Sequence, residues 1–271
     1  MNKGLLSKSI RELWPTTLLV GLLVGIFEAL IAGVLPRYEH EIGLQILRMP
    51  FVKRIIEGML GTSVAEQVGP ELIWSIPWAH PLMLSLLLAH AVICATRVPA
   101  GEVDRGTIDI ALGLPISRWQ WIRSDSLVWL VSAMIVVAML VVGNLTGSAI
   151  VGSDHALGPY KSSILYMNLL GLYLAVGSGA WLISALSNRR GKAMTITFVL
   201  IVTSFLISYL EQFWEPARYA SWISALSYNR PLFVLRDGAW PVGDLCVLYG
   251  SAAVLWGAAA AVFARRDLCT T

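Results

Sequence analysis

Gly101-Glu-Val-Asp-Arg-Gly-Thr-Ile-Asp-Ile-Ala-Leu-Gly-Leu-Pro-Ile-Ser-Arg118 is a polar, punctuated stretch held between two apolar runs, residues 73–96 and 126–151. Each run reaches the length of about 20 residues that carries a helix across a bilayer. A bare connection between spans needs only a few polar residues, so a segment with such defined stops implies a surface to dock against. Glu102 and Asp104 suit a helix start, where the macrodipole favours negative charge. Ile108, Ala111 and Leu112 give that helix an apolar edge able to enter a groove, and Gly113 and Pro115 stop it. Arg118, Trp119, Trp121 and Arg123 mark the membrane interface where the next run begins.

Outward from this pair, four more runs are long enough to span: 17–35, 163–187, 193–212 and 243–264. The 271 residues are 56% hydrophobic and 14% charged, against about 25% charged in a soluble domain. The chain therefore reads as an all-α integral membrane protein of six spans in a single transmembrane domain. Basic residues set its orientation. With the N-terminus inside, Lys3, Lys8, Arg11, Arg97, Arg105, Arg118, Arg123, Arg189, Arg190, Lys192, Arg265 and Arg266 are cytoplasmic, the majority of the 20. The short turn Asn188-Arg189-Arg190-Gly191-Lys192 is the clearest marker. Both termini are expected inside, in the cell membrane. A net charge of +3 calls for no nucleic-acid partner, and basic residues at span ends suit anionic lipid headgroups.

Residues 3–14 predict an amphipathic helix in the headgroup plane, with Leu6, Ile10, Leu13 and Trp14 opposite Lys8, Arg11 and Glu12, and Pro15 ending it. The first run is longer than a signal-peptide core and no small-residue cleavage site follows, so it reads as a retained span. The 36–72 loop predicts short helices at 38–48 and 51–60, split at Met49-Pro50. In 213–242, Trp214, Tyr219, Trp222, Tyr228, Phe233 and Trp240 alternate with Pro216, Pro231 and Pro241. That density of aromatics suits a membrane interface, with or without a role in transport.

Several chemistries are unsupported. Gly191-Lys192 is followed by Ala193 and lacks the upstream glycine of a phosphate-binding loop. There is no G-x-S-x-G elbow and no H-E-x-x-H. Cys94, Cys246 and Cys269 form no CxxC, and the four histidines are scattered, so no metal site is expected. Two features inside the first span stand out. Glu28 is a carboxylate at membrane depth, by default a functional candidate. It faces either a polar substrate path or another side chain, with His80, Ser85 and His90 as partners by depth. Gly21, Gly25, Ala29 and Gly33 recur every four residues on one face, where close helix approach is possible. That stripe serves either packing within the chain or, as favoured here, a dimer interface.

The 101–118 segment resembles the signature of type-2 ABC-transporter permeases, a Glu…Arg-Gly-Thr run leading to Pro-x-Ser-Arg. Glu102, Arg105, Gly106, Thr107, Pro115, Ser117 and Arg118 match it in order. The N-terminal helix resembles that family's elbow helix, and Phe263-Ala264-Arg265-Arg266-Asp267-Leu268 is similar to its usual ending. The resemblance implies a coupling helix between spans 2 and 3, in which Glu102, Asp104, Arg105, Gly106, Thr107, Ile108, Asp109, Pro115, Ser117 and Arg118 serve ATPase coupling. It implies a second permease copy or a similar permease, separate cytoplasmic ABC ATPase subunits, and ATP and Mg bound by those subunits with no cofactor on this chain. It also implies export. The alternative is a membrane anchor or scaffold acting in assembly or mechanical signalling.

Overall fold

Backbone inside a bilayer must satisfy its own hydrogen bonds, and for an isolated apolar run the helix is the solution. The computed structural model describes residues 3–35, 49–60, 70–113, 115–152 and 157–266, and every regular element among them is helical. In chain order these are α1 (Lys3–Val34), α2 (Pro50–Leu60), α3 (Pro70–Ala79), α4 (Pro81–Ala95), α5 (Ala100–Asp104), α6 (Ile108–Leu112), α7 (Arg118–Val151), α8 (Pro159–Leu186), α9 (Arg190–Leu210), α10 (Glu215–Ala220), α11 (Pro231–Asp237) and α12 (Val242–Arg265). Six stretches among the described residues are long and apolar enough to cross a membrane: α1, α3 with α4, α7, α8, α9 and α12. They coincide with the six runs read from the sequence.

The first boundary is corrected. Instead of stopping at Pro15, α1 runs straight through it. Pro15 has no N–H for the Arg11 carbonyl, and an interior proline costs about 3 kcal/mol. Tertiary packing on both sides of it offsets this: Leu5, Ser9, Leu13 and Thr17 are all buried at four-residue spacing, while Pro15 lies on the exposed side. Residues 3–14 thus extend the first span and pack on the bundle, leaving Ile10 and Trp14 exposed. In the second span, the helix breaks at His80. Pro81 opens α4, and the His80 side chain accepts the Leu82 N–H at 3.2 Å. The expected helix at 51–60 is α2, whereas 38–48 lies outside the described residues. Between α9 and α12 the proline-punctuated segment forms α10, two short 3-10 turns and α11.

The fourth span, α8, is the centre and is mostly buried, whereas α9 is mostly exposed. On one side of α8, α12 packs against Gly171, a Cβ on which would meet Leu248 and Tyr249, and the Tyr249 hydroxyl donates to the Met167 carbonyl at 2.9 Å. His90 of α4 joins Tyr173 of α8 at 2.9 Å and Thr17 of α1 at 3.3 Å, a polar junction of three spans.

Gly21, Gly25 and Ala29 of the α1 stripe are used within the chain, which corrects their assignment to a dimer interface. A Cβ on Gly21 would strike the Met139 side chain of α7, and one on Gly25 would sit 2.9 Å from the Met139 carbonyl oxygen. Across the seam, a Cβ on Gly143 would run into the Gly25 carbonyl, and one on Gly147 into that of Ala29. Gly25 and Ala29 are thus each answered by a glycine of α7, a close approach that van der Waals packing in lipid rewards. Gly33 lies two turns beyond Gly25 on the same helix. Overpacking costs about 1–3 kcal/mol, so Gly143→Ala is expected to lower the thermal midpoint of the purified protein with its oligomeric state unchanged. Gly25→Cys should give no cross-link between copies, and an efficient cross-link would overturn this packing.

Candidate functional site

Three charged side chains are buried where the spans meet the 101–118 segment: Arg97 at 5% exposure, and Glu102 and Asp125 at 1% each. Such charges persist only when paired and hydrogen-bonded. Arg97 forms ion pairs with Glu12 of α1 and Asp125 of α7. Its Nη2 also donates to Ser9 Oγ at 3.1 Å, and Ser9 lies 3.0 Å from Asp125 Oδ1. Beside this, Glu102 accepts from Lys8 Nζ at 2.9 Å, Arg105 Nη2 at 2.9 Å and Thr107 Oγ1 at 2.5 Å. Burial pushes the Glu102 carboxyl upward, but hydrogen bonds from Thr107 and Lys8 and the nearby Lys8 and Arg105 charges outweigh it, holding its pKa below the usual 4.5. With the folded value depressed, this contact stabilises the protein above that pH and is lost as pH falls through the lower folded value.

The expected single helix over 102–112 is corrected to two. The Thr107 N–H returns to the Glu102 carbonyl at 3.1 Å and closes α5, and Gly106 takes a φ of +67° before α6 begins. That left-handed conformation is one glycine adopts without steric cost. Asp104, Arg105, Asp109 and Ile110 are exposed, Ile110 to 73%. Ile108 faces the other way. It is fully buried in a cluster with Trp121, Trp181 and Phe263, so it anchors the segment instead of forming a docking edge. The side chains of Ala111 and Leu112 lie outside the described set.

Ser117 and Arg118 also have intramolecular work. Ser117 N-caps α7 in a reciprocal box with Gln120, both bonds 3.2 Å. Arg118 donates to the carbonyls of Phe263 at 3.1 Å and Arg266 at 2.5 Å, closing the end of α12. Arg266 in turn donates to the Ala185 carbonyl at 2.7 Å. Pro115 is exposed before the cap. Further bonds fix α5 against the bundle: the Ala100 N–H to Ser184 Oγ at 3.1 Å, and the Arg190 N–H to Asp104 at 3.3 Å.

Glu28 is fully buried, and its partner is Asn144 of α7, whose Nδ2 donates to it at 3.1 Å. The expected partners His80, Ser85 and His90 are corrected because this face of α1 packs on α7. His80 instead lies beside Phe27, with ring centroids 5.1 Å apart and the planes tilted at 57°. Glu28 therefore sits inside the α1–α7 seam and lines none of the described clefts. The largest of those opens between the second and fifth spans. It has a volume of about 500 Å3 and walls formed by Leu84, Ser85 and Leu88 of α4 facing Phe198, Ile201 and Phe205 of α9. That falls within the roughly 300–1,000 Å3 of small-molecule sites.

A six-span bundle with a lashed polar segment after span 2 now has a comparison. Residues 11–268 match the family described as ABC-2 family transporter protein. The chain belongs to the ABC-2 transporter family. No curated protein matches it. An ABC-2 chain is a multi-pass membrane component of an ABC transporter and not itself the ATPase, and the family generally works with cytoplasmic ABC ATPases.

Several residues of this ABC-2 chain that matter here escaped the sequence reading. Asn144 was signalled by being an amide inside an apolar run. Ser117-x-x-Gln120 was a readable capping box. Arg97 and Asp125, 28 positions apart, carried no local signal of being partners. Removing one member of a buried pair costs about 3–5 kcal/mol, so Arg97→Gln should sharply lower the thermal midpoint. Adding Asp125→Asn should recover part of that loss, and an additive double variant would contradict the pairing.

Proposed function

We propose that this chain is the permease subunit of an ABC exporter, pairing with a second copy or a similar permease and driven by two separate cytoplasmic ATPase subunits. The observation that carries the reading is the form of residues 100–118. One side is anchored by Glu102, Ile108 and Arg118, Asp104 ties the segment to the start of α9, and Arg105, Asp109 and Ile110 are exposed on the other side. An exposed apolar tip ringed by charge fits a groove on a partner. Because the anchored side bonds to α1, α8, α9 and α12, and Ile108 packs on Trp121 of α7, a push on the exposed side reaches four spans besides the first. Arg105, Asp109 and the exposed Pro115 keep their predicted coupling role, whereas Glu102, Asp104, Gly106, Thr107, Ile108, Ser117 and Arg118 hold the docking surface in shape.

The basic-residue pattern supports placing both termini and this segment in the cytoplasm of the cell membrane. The cleft between the second and fifth spans is the better candidate for the substrate path than Glu28, since it is open and Glu28 is enclosed. ATP binding in the partners would then bias the two halves between states by differential affinity.

Ile110→Asp places a charge at the exposed tip without touching the anchored side. It is expected to leave membrane insertion and thermal midpoint unchanged while abolishing co-purification with the ATPase or its stimulation. Wild-type complex formation and ATPase activity in Ile110→Asp would refute docking at this tip, and a scaffold subunit would show an intact complex with no substrate-stimulated ATP hydrolysis.

A further inference from the structure

Three carboxyl groups are buried among the described residues, and two of them, Glu102 and Asp125, meet a cation. Glu28 meets none. It is fully buried between α1 and α7, bracketed by the closest approaches of that seam, Gly25 on Gly143 and Ala29 on Gly147. The other charges of α1 end at Glu12, and those of α7 end at Asp125, both toward the opposite ends of their helices. From the neighbouring elements, Glu71 of α3 and His80 and His90 of α4 form no ion pair or hydrogen bond with Glu28; the histidines are engaged with Leu82, Thr17 and Tyr173.

The seam is also one donor short. Asn144 Nδ2 donates to Glu28 Oε2 at 3.1 Å, which leaves Glu28 Oε1 and Asn144 Oδ1 buried with no donor. Hydroxyls on the same turns of α7 are already spent: Thr146 donates to the Gly143 carbonyl and Ser148 to the Asn144 carbonyl, each at 2.9 Å. Buried oxygens left without a donor are costly. An un-ionised carboxyl brings one O–H donor of its own, and a planar carboxyl is complementary to a planar carboxamide edge to edge. One hydrogen on Oε1 therefore satisfies both orphaned oxygens at once. A hard metal cation would need about six oxygens, and the backbones of α1 and α7 touch here, leaving no space for such a shell.

We propose that the folded chain binds a proton at Glu28, held in a reciprocal pair in which Asn144 Nδ2 donates to Oε2 and the Oε1 hydroxyl donates to Asn144 Oδ1. The site exists only while α1 and α7 are together. A carboxylate enclosed with a single neutral donor would be an unpaired buried charge, so the closed seam favours the acid. Parting of the two helices admits water, and the proton is free to leave. Glu28 lies six residues before the end of α1 at Val34, about 9 Å at 1.5 Å per residue, at the end distant from residues 101–118. Separation of the first and third spans at that end is thereby linked to proton release.

Infrared spectroscopy of the full chain at neutral pH, in a detergent free of ester groups, tests this without ATPase or substrate. The wild type should show the carbonyl stretch of an un-ionised carboxyl, shifted when its glutamates carry carbon-13 in the side-chain carboxyl and lost in Glu28→Gln. Glutamine reproduces both bonds, its Nε2–H replacing the carboxyl hydrogen. Wild type and Glu28→Gln should therefore have similar thermal midpoints at about pH 4, where an unfolded glutamate is largely neutral as well. As pH rises, the unfolded chain gives up this proton while the folded chain keeps it, so the wild-type midpoint should fall progressively below that of Glu28→Gln. The absence of a glutamate-derived band from the wild type at neutral pH would overturn the proposal. So would a difference in midpoint between the two chains that does not change with pH. If Glu28→Gln does not fold, the carbon-13 shift decides on the wild type alone.

Discussion

Burying charge at the membrane boundary is the constraint on which this structure depends. Arg97, Asp125 and Glu102 are nearly inaccessible, and each would be costly without a partner. Their partners come from α1 and from the segment after the second span, so satisfying them fixes the first helix, the 101–118 turns and the third span in one arrangement. The same demand explains why α1 does not bend away at Pro15. Lys8, Ser9 and Glu12 lie before the proline and are needed where the second span ends.

Above this boundary the bundle divides into two tight pairings and one loose element. The first and third spans meet through Gly25, Ala29, Gly143 and Gly147, with the Glu28–Asn144 bond enclosed between them. The fourth and sixth spans meet through Gly171 and Tyr249. Helices joined by small residues and buried hydrogen bonds in lipid resist separation. The fifth span has neither device to this degree and is bordered by clefts of about 500 and 280 Å3. In the proposed transport cycle, a movement of the anchored segment would be carried by the tight pairs and taken up at the fifth span, where the walls are apolar and few bonds must break.

How much of this was legible in the sequence follows from the range of each signal. Spans announce themselves by length and apolarity, because lipid imposes the same rule on every residue in turn, so all six were readable. The 101–118 segment was readable as special from its punctuation, yet its internal bend depends on Glu102 capturing Thr107 five residues on and on Gly106 accepting a left-handed φ. The glycine stripe correctly announced close approach, but periodicity within one helix does not say which helix approaches. The answering stripe, Gly143 and Gly147, lies more than a hundred residues away. Glu28 was likewise recognisable as exceptional, while its partner was set by which span packs on that face. Side-chain exposure along 104–110 separated exposed residues from anchoring ones, a division that the family-like motif runs together.

In the proposed coupling, the exposed tip at Ile110 meets a nucleotide-hydrolysing partner while the segment's other face is held by the bundle. Site-specific photo-cross-linking in native membranes addresses it directly, with a photoreactive amino acid at position 110 and a control at position 219, at the far end of the bundle. A covalent adduct with an ABC ATPase is expected from position 110 and none from position 219. Adducts from position 110 confined to lipid, or to another permease chain, would contradict it.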